Sequence, residues 1–185
     1  MLRNLIDKSF LQSKELNELT KKNLKQNIIQ GSSILKKKIS KNKTIFWCGN
    51  GGSATQADHL STELLGRFKK NRKPINSISL ASNTSYLTCV SNDFKFDSVF
   101  SRQIEAYGKK DDLLILISTS GNSINIIEAA KVAKKKNLFI IGFLGKNGGK
   151  VRKFCDIKLI VPSNSTARIQ ELHLLIGHIM CEFVD

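Results

Sequence analysis

The amino-acid sequence predicts an α/β fold: a three-layer α-β-α sandwich with a five-stranded parallel sheet and a long N-terminal helix. From residue 44 onward, short and nearly continuous apolar runs alternate with helical segments, which is typical of parallel strands buried on both faces. The 185 residues contain no internal repeat and no low-complexity linker, so we expect a single domain over residues 1–185.

Residues 1–40 are expected to form an N-terminal helical segment, with the helix itself over residues 2–38. Apolar side chains recur there at roughly helical spacing, no proline interrupts them, and Gly31 is the only expected break. An amphipathic helix of this length must bury its apolar stripe. Packing on the domain and packing on a second subunit both remain open.

The remaining elements follow from the alternation of patterns. The apolar runs predict strands over residues 44–48, 76–80, 113–117, 138–143 and 157–161. The segments between and after them predict helices over residues 53–68, 83–92, 95–107, 123–136, 148–153 and 167–184. In an open parallel sheet, ligands bind beyond the carboxyl ends of the strands, so the loops there are the first candidates for a site.

Composition narrows the class of protein and its partners. The formal net charge is +15, yet the basic residues are 24 lysines and 6 arginines, and the lysines are spread in short runs. We interpret them as solvated surface, which argues against a nucleic-acid partner. No apolar run of about 18 residues predicts a membrane span and no signal region is visible, so a cytoplasmic location is expected. The four scattered cysteines indicate free thiols.

A glycine-rich turn, GNGGS at residues 49–53, follows the first predicted strand. Glycines let the backbone turn sharply and approach a ligand. Ser53 is placed to cap the next helix, whose free N–H groups favour anions. The pattern is neither a Walker loop nor a GxGxxG fingerprint, and a generic strand-to-helix turn is the alternative.

A second loop, ISTSGNS at residues 117–123, follows the third predicted strand and opens another helix. Its hydroxyl side chains are Ser118, Thr119, Ser120 and Ser123. Phosphate favours such a set of donors together with backbone amides, whereas a helix cap alone would need one hydroxyl. Two loops of this kind point to an anionic, polyhydroxylated ligand such as a sugar phosphate.

Two pairs of polar residues suggest acid–base or metal chemistry. His59 and Glu63 are four residues apart, which puts both on one face of a helix. Gln170 and His178 lie eight residues apart on the last predicted helix, about 80° beyond two full turns. Together they could bind a divalent ion or supply an acid and a base. A surface ion pair between His59 and Glu63 is the alternative.

Four other polar residues each allow two interpretations. Glu171 and His173 lie on the last predicted helix and compete for the roles above, and spacing does not exclude them. Asp93 either caps a helix end or faces the cleft. Arg67 is either a cation at a helix C-terminus or a ligand contact.

Taken together, the motifs resemble the bacterial phosphoheptose isomerases, a branch of the sugar isomerase (SIS) domain family. The matching segments cover nearly everything from residue 46 onward: CGNGGSATQADHLSTELLGRF, CVSNDFKFDSVFSRQIEAYGKKDD, ISTSGNS, GKNGGKVRKFCD and ARIQELHLLIGH. The resemblance implies the SIS fold and a homotetramer with active sites at subunit interfaces. It also implies isomerisation of sedoheptulose 7-phosphate to D-glycero-D-manno-heptose 7-phosphate, the first step toward nucleotide-activated heptose for surface polysaccharide such as lipopolysaccharide or capsule.

The same resemblance implies a role for each matching residue. The phosphate ligands would be Ser118, Thr119, Ser120 and Ser123. The contacts to the rest of the substrate would be Asn50, Gly51, Gly52, Ser53, Asn92, Asp93 and Gln170. One zinc ion per subunit would be held by His59, Glu63, Gln170 and His178.

The chemistry implied is a ketose-to-aldose conversion through a cis-enediol. Glu63 is the candidate for the base that moves a proton between carbons, and His178 for the group that moves protons between oxygens. Zinc would polarise the carbonyl, but a glutamate bound to zinc has a lowered pKa, so the two roles of Glu63 compete. Some family members carry an acidic residue at the position of Ala167, and Asp93 is a candidate substitute here.

Three other functions deserve comparison. Some close SIS relatives bind the bacterial replication initiator without isomerase activity, and these lack the full set of metal-site side chains that this chain retains. A sugar-phosphate sensor would bind ligand without turnover. Another SIS isomerase would act on hexulose or arabinose phosphates, which the heptose-branch signature disfavours.

Overall fold

The computed structural model describes residues 1–185 and contains the predicted succession of helices and strands. The helices are α1 (Leu2–Ser40), α2 (Gly52–Leu65), α3 (Thr84–Asp93), α4 (Ser101–Tyr107), α5 (Ile124–Lys135) and α6 (Thr166–Val184). The strands are β1 (Ile45–Gly49), β2 (Ser77–Ser79), β3 (Leu113–Ser118), β4 (Phe139–Gly145) and β5 (Ile157–Val161). Two 3₁₀ turns, Phe96–Ser98 and Lys150–Phe154, connect them.

Four details of the predicted elements were wrong. Gly31 does not break α1, because the helix is buried there and packs near Met180 and Ile141, which outweighs the low helix propensity of glycine. The predicted helix over 95–107 divides into a 3₁₀ turn and α4, and the one over 148–153 is a 3₁₀ turn. Helix α2 ends at Leu65 rather than at residue 68, because the chain leaves helical geometry at Gly66.

All five strands are parallel, in the order β2-β1-β3-β4-β5. Side chains alternate between the two faces of the sheet: Ile45 and Trp47 of β1 join one apolar core, and Phe46 and Cys48 join the other. Helices α1, α2 and α6 cover the first face, and α3, α4 and α5 cover the second. The predicted three-layer α-β-α sandwich with a five-stranded parallel sheet is therefore confirmed.

The strand order defines where a ligand is expected to bind. The chain passes from β1 to β2 on one side of β1, and then to β3 on the other side. At such a switch point the following loops diverge and leave a crevice beyond the carboxyl ends of the two central strands. Both motif loops lie there, since one follows β1 and the other follows β3.

Helix α1 is only partly covered by the rest of the chain. Leu16, Leu24 and Leu35 are buried against the first face of the sheet and its helices. The first three turns leave apolar side chains exposed, and Phe10 is 76% exposed. No helix combines the length and the apolar character needed to cross a membrane.

Candidate active site

The first loop brings the start of α2 to the crevice beyond β1. Gly51 is the residue before the helix and has φ +54°, a value that side chains disfavour, so this turn depends on glycine. Ser53 was expected to cap the helix, and this was wrong. It lies inside the first turn and is 4% exposed, and its amide donates to the Asn50 carbonyl at 3.0 Å.

The second loop forms a compact turn between β3 and α5. The Ser118 hydroxyl is buried and accepts a hydrogen bond from the Gly121 amide at 3.0 Å. The Ser120 hydroxyl accepts from the Asn122 amide at 3.2 Å. Ser123 precedes α5, but its side chain makes no capping hydrogen bond, so that hydroxyl is free to bind a ligand. Hydroxyls and amides at a helix N-terminus form a suitable phosphate site.

A pair of side-chain amides ties the two loops together. Asn50 and Asn125 exchange two hydrogen bonds, 2.9 and 2.8 Å long, between their carboxamides. Asn125 is 2% exposed and was not singled out from the sequence. The only signal for it would have been an amide side chain directly after a helix start. The reciprocal pair fixes the width of the crevice and leaves the Asn50 carboxamide engaged with Asn125.

The predicted His and Glu residues come together between α2 and α6. The Nε2 atoms of His59 and His178 are 2.8 Å apart, although 119 residues separate them in the chain. His59 Nε2 lies 3.4 Å from Glu63 Oε1, and one ligand atom from each of the three residues lies within 4.8 Å of the other two. The side chains of His59 and Glu63 are 44% and 21% exposed. The cluster is thus open to a small ligand.

This donor set fits a divalent transition metal. Two imidazole nitrogens and one carboxylate are ligands that zinc accepts. Ligand atoms around a tetrahedral zinc ion lie about 3 to 4 Å apart, close to the separations seen here. Only small rotations would bring the three atoms around one ion.

Gln170 lies against the first loop. A Cβ atom built on Gly52 would come within 2.5 Å of Gln170 Nε2, so the absence of a side chain at Gly52 makes room for this carboxamide. Gln56 Nε2 donates to the Gln170 carbonyl at 2.6 Å and holds α6 against α2. The Gln170 side chain therefore packs against the glycine turn where α6 meets α2.

The two competing residues on α6 lie elsewhere. Glu171 is exposed and pairs with Arg168 at 2.9 Å. His173 is fully buried, and its Nε2–H donates to the Leu144 carbonyl at 3.0 Å. Its Nδ1 has no partner, and its ring contacts Phe143 edge-on. Neither residue belongs to the cluster, which resolves the ambiguity that spacing left.

Burial of His173 predicts a pH-dependent stability. Burial lowers the pKa of His173 from 6.5 to about 4. Between these values the unfolded chain binds a proton that the folded chain does not, so stability falls as the pH falls below 6.5. The loss should reach about 2 kcal/mol at pH 5. Urea unfolding at pH 7 and pH 5 measures it, and a His173→Gln variant should lose this part of the difference; an equal difference in both proteins would contradict it.

The other residues singled out from the sequence make no hydrogen bond to the two loops or to the cluster. Asn92 and Asp93 are the last residues of α3, and both are exposed. Hydrogen bonds donated by Asn92 and, to a smaller extent, by Cys89 lower the pKa of the Asp93 carboxyl. Arg67 is exposed directly after α2, and Ala167 is exposed in the first turn of α6. The structure places neither Asn92 nor Asp93 in hydrogen-bond contact with the two loops or the cluster.

Fold and site together define a doubly wound α/β protein with a hydroxyl-rich loop at its switch point and a His-Glu-His cluster between α2 and α6. A family model described as the SIS domain matches residues 10–145. The chain belongs to the SIS domain family, within its phosphoheptose isomerase branch.

Relatives and solved structures agree over the whole chain. The phosphoheptose isomerase of Nitratiruptor sp. is 44% identical over 97% of this chain and 96% of its own length. The phosphoheptose isomerase of Campylobacter jejuni serotype O:6 is 45% identical over 98% of this chain and 97% of its own length. The phosphoheptose isomerase structure from Neisseria gonorrhoeae superposes with a TM-score of 0.94 at 37% identity, covering 100% of this chain and 99% of the other. The one from Francisella tularensis gives 0.96 at 32% identity, covering 100% and 98%.

Proposed function

We propose that this protein is an aldose–ketose isomerase that converts sedoheptulose 7-phosphate to D-glycero-D-manno-heptose 7-phosphate through a cis-enediol. The observation that carries the proposal is the cluster of His59, Glu63 and His178, because α2 carries two of these residues and begins at the same edge of the sheet as the hydroxyl-rich loop after β3. The whole-length similarity to phosphoheptose isomerases supports the same substrate. The product would feed nucleotide-activated heptose for lipopolysaccharide or capsule, and we propose that the single domain works in the cytoplasm.

Substrate binding is assigned to the two loops. The phosphate would bind at the N-terminus of α5, where the helix dipole favours an anion. Its ligands would be Ser118, Thr119, Ser120 and Ser123. The sugar chain would extend across the crevice toward the cluster, in contact with Asn50, Gly51, Gly52, Ser53, Asn92, Asp93 and Gln170. The exposed position of Asp93 suits it to approach the substrate where Ala167 offers no carboxylate.

The proton transfers are assigned to Glu63 and His178. Glu63 takes a proton from C1 of the ketose and returns one to C2. His178 donates a proton to the C2 oxygen and accepts one from the C1 oxygen, which completes the aldose. The His178 imidazole lies in the cluster, and a ring nitrogen that holds no ion can exchange protons with substrate oxygens. General acid–base groups of this kind contribute about 10² to 10⁴ in rate.

We propose one zinc ion per subunit at the cluster. His59, Glu63, Gln170 and His178 would hold it, a set supported by the close approach of the two imidazoles and the carboxylate. When bound, such an ion polarises the substrate carbonyl and stabilises the enediolate. The carboxylate of Glu63 and the ring of His178 would then remain beside the reacting carbons.

We propose that the chain assembles as a homotetramer with its sites at subunit interfaces. Support comes from the exposed apolar side chains of α1 and α6, including Leu5, Phe10, Ile179 and Phe183. A groove of about 350 Å³ between the two helices continues this apolar surface. The exposed cluster is consistent with a neighbouring subunit that completes the site.

Sedimentation equilibrium should give a mass about four times 20.7 kDa. A Phe10→Asp variant should shift the population toward smaller species, because it places a charge in a surface that assembly would bury. A wild-type protein that sediments as a monomer at micromolar concentration would contradict the tetramer.

The proposal is tested by NMR of sedoheptulose 7-phosphate incubated with zinc-supplemented protein, with dephosphorylated sedoheptulose as the matched control. We expect the aldose anomeric signals to appear with the phosphorylated sugar and much more slowly without the phosphate. Saturable binding without any turnover would contradict the isomerase. A replication-initiator adaptor or a sugar-phosphate sensor would then be favoured.

A further inference from the structure

We propose that Arg72 and Asp185 form a partly buried clamp that positions Glu63 and His178 for proton transfer. The inference rests on the proposed function, which assigns those two residues to catalysis. Glu63 lies on α2 and His178 on α6, so their separation depends on how the two helices are held together. The clamp joins the end of α2 to the end of α6.

Arg72 donates hydrogen bonds to carbonyl groups in the last turn of α2. Its Nη2 donates to the Glu63 carbonyl and its Nη1 to the Leu64 carbonyl, both at 2.8 Å. Carbonyls at a helix C-terminus lack hydrogen-bond donors within the helix, and the negative end of the helix dipole favours a cation. The Arg72 guanidinium supplies both the donors and the positive charge. One of these carbonyls belongs to Glu63 itself, which fixes the backbone that carries the carboxylate.

Asp185 holds the same guanidinium from the end of α6. Arg72 Nε donates to Asp185 Oδ1 at 2.8 Å, and the two side chains are 15% and 2% exposed. Asp185 Oδ2 also accepts the backbone amides of Lys69 and Lys70, each at 2.6 Å. The carboxylate therefore has charge-assisted partners on both oxygens and anchors the segment after α2 to α6.

That anchored segment touches His178 directly. Phe68, immediately before the two amides bound by Asp185, stacks on the His178 imidazole with ring centroids 5.6 Å apart and an interplanar angle of 26°. The Nε2 edge of the same imidazole contacts His59. The clamp thus contacts His178 through the Phe68 ring and Glu63 through its backbone carbonyl, so the positions of both groups depend on one partly buried ion pair.

A second ion pair between the same two parts of the chain offers a matched control. Lys69 and Glu182 are 2.5 Å apart, but their side chains are 58% and 56% exposed. Exposed pairs of this kind contribute little to stability. A Glu182→Gln variant therefore removes a charge from α6 near the clamp and should leave the position of His178 unchanged.

The test uses the three histidines of the chain, labelled with ¹³C in the ring and assigned by substitution. In Asp185→Asn and Arg72→Lys variants, the His178 resonance should move away from its wild-type position as the Phe68 ring shifts, while the His173 resonance stays in place. A lysine keeps the charge but cannot reproduce the planar fork. With sedoheptulose 7-phosphate, kcat should fall about 10- to 100-fold with little change in KM.

Two results would overturn the clamp. One is an unchanged His178 resonance and kcat in both variants, as in Glu182→Gln. The other is a joint move of the His173 and His178 resonances, which would show that the ion pair supports only the overall fold. Arg72→Lys is the milder change and keeps the test usable if Asp185→Asn fails to fold. If the wild-type protein showed no turnover, the proposed function would fail, and the His178 resonance would still decide whether the clamp exists.

Discussion

A Glu63→Gln variant is expected to lower kcat by about 10² to 10⁴ while leaving the fold intact. Glutamine has nearly the same shape as glutamate, but it cannot accept a proton from carbon. The side chain is partly exposed and pairs only with His59 at 3.4 Å, so its replacement should cost little stability. Steady-state rates with sedoheptulose 7-phosphate give the loss, and bound zinc measured in the same samples separates a missing base from a missing ligand.

Glu171→Gln is the matched control for that experiment. Glu171 is an exposed glutamate on α6 that pairs with Arg168, outside the cluster. Its variant should retain wild-type kcat. A large loss in Glu171→Gln together with a small loss in Glu63→Gln would reverse the assignment of the base.

A Gly121→Ala variant is expected to disrupt the phosphate loop. Gly121 has φ +65°, and a Cβ atom there would collide with the backbone carbonyl of Gly148. Left-handed strain and overpacking together should cost about 3 kcal/mol or more. Affinity for inorganic phosphate, measured by calorimetry, should fall at least about tenfold, which corresponds to 1.4 kcal/mol.

Gly51→Ala separates strain from collision. Gly51 also has a positive φ, +54°, but a Cβ atom there would meet nothing within 4 Å. This variant should lose only about 1 to 2 kcal/mol in urea unfolding and should still bind inorganic phosphate. Equal losses in the two variants would contradict the role of the Gly148 contact.

Much of the fold and part of the site could be predicted because local patterns determine them. Apolar runs of strand length identified all five strands, and parallel strands place the loops after β1 and β3 at the same edge. The four-residue spacing of His59 and Glu63 predicted a shared helix face, and their atoms lie 3.4 Å apart. The family and the class of enzyme followed from the motifs that these loops carry, and the comparisons confirm both.

The features that the sequence did not predict correctly depend on packing between distant segments of the chain. Spacing along α6 could not tell His178 from His173, because this helix is packed on more than one side and only the fold decides which imidazole is buried. Gly31 was expected to break α1, but its contact with Met180 supports a continuous helix. The Arg72–Asp185 pair was missed because Arg72 lies in a polar, lysine-rich segment, and an ion pair with a residue 113 positions away leaves no local sequence pattern.

The most direct test of the enediol mechanism is the isomerisation carried out in D₂O with zinc-loaded wild-type and Glu63→Gln proteins. We predict deuterium at C2 of the aldose made by the wild type, since the enediol takes its new proton from a base that exchanges with solvent. The Glu63→Gln variant should form the aldose about 10² to 10⁴ times more slowly than the wild type. Product without deuterium at C2, formed equally fast by both proteins, would contradict the enediol mechanism and the role of Glu63.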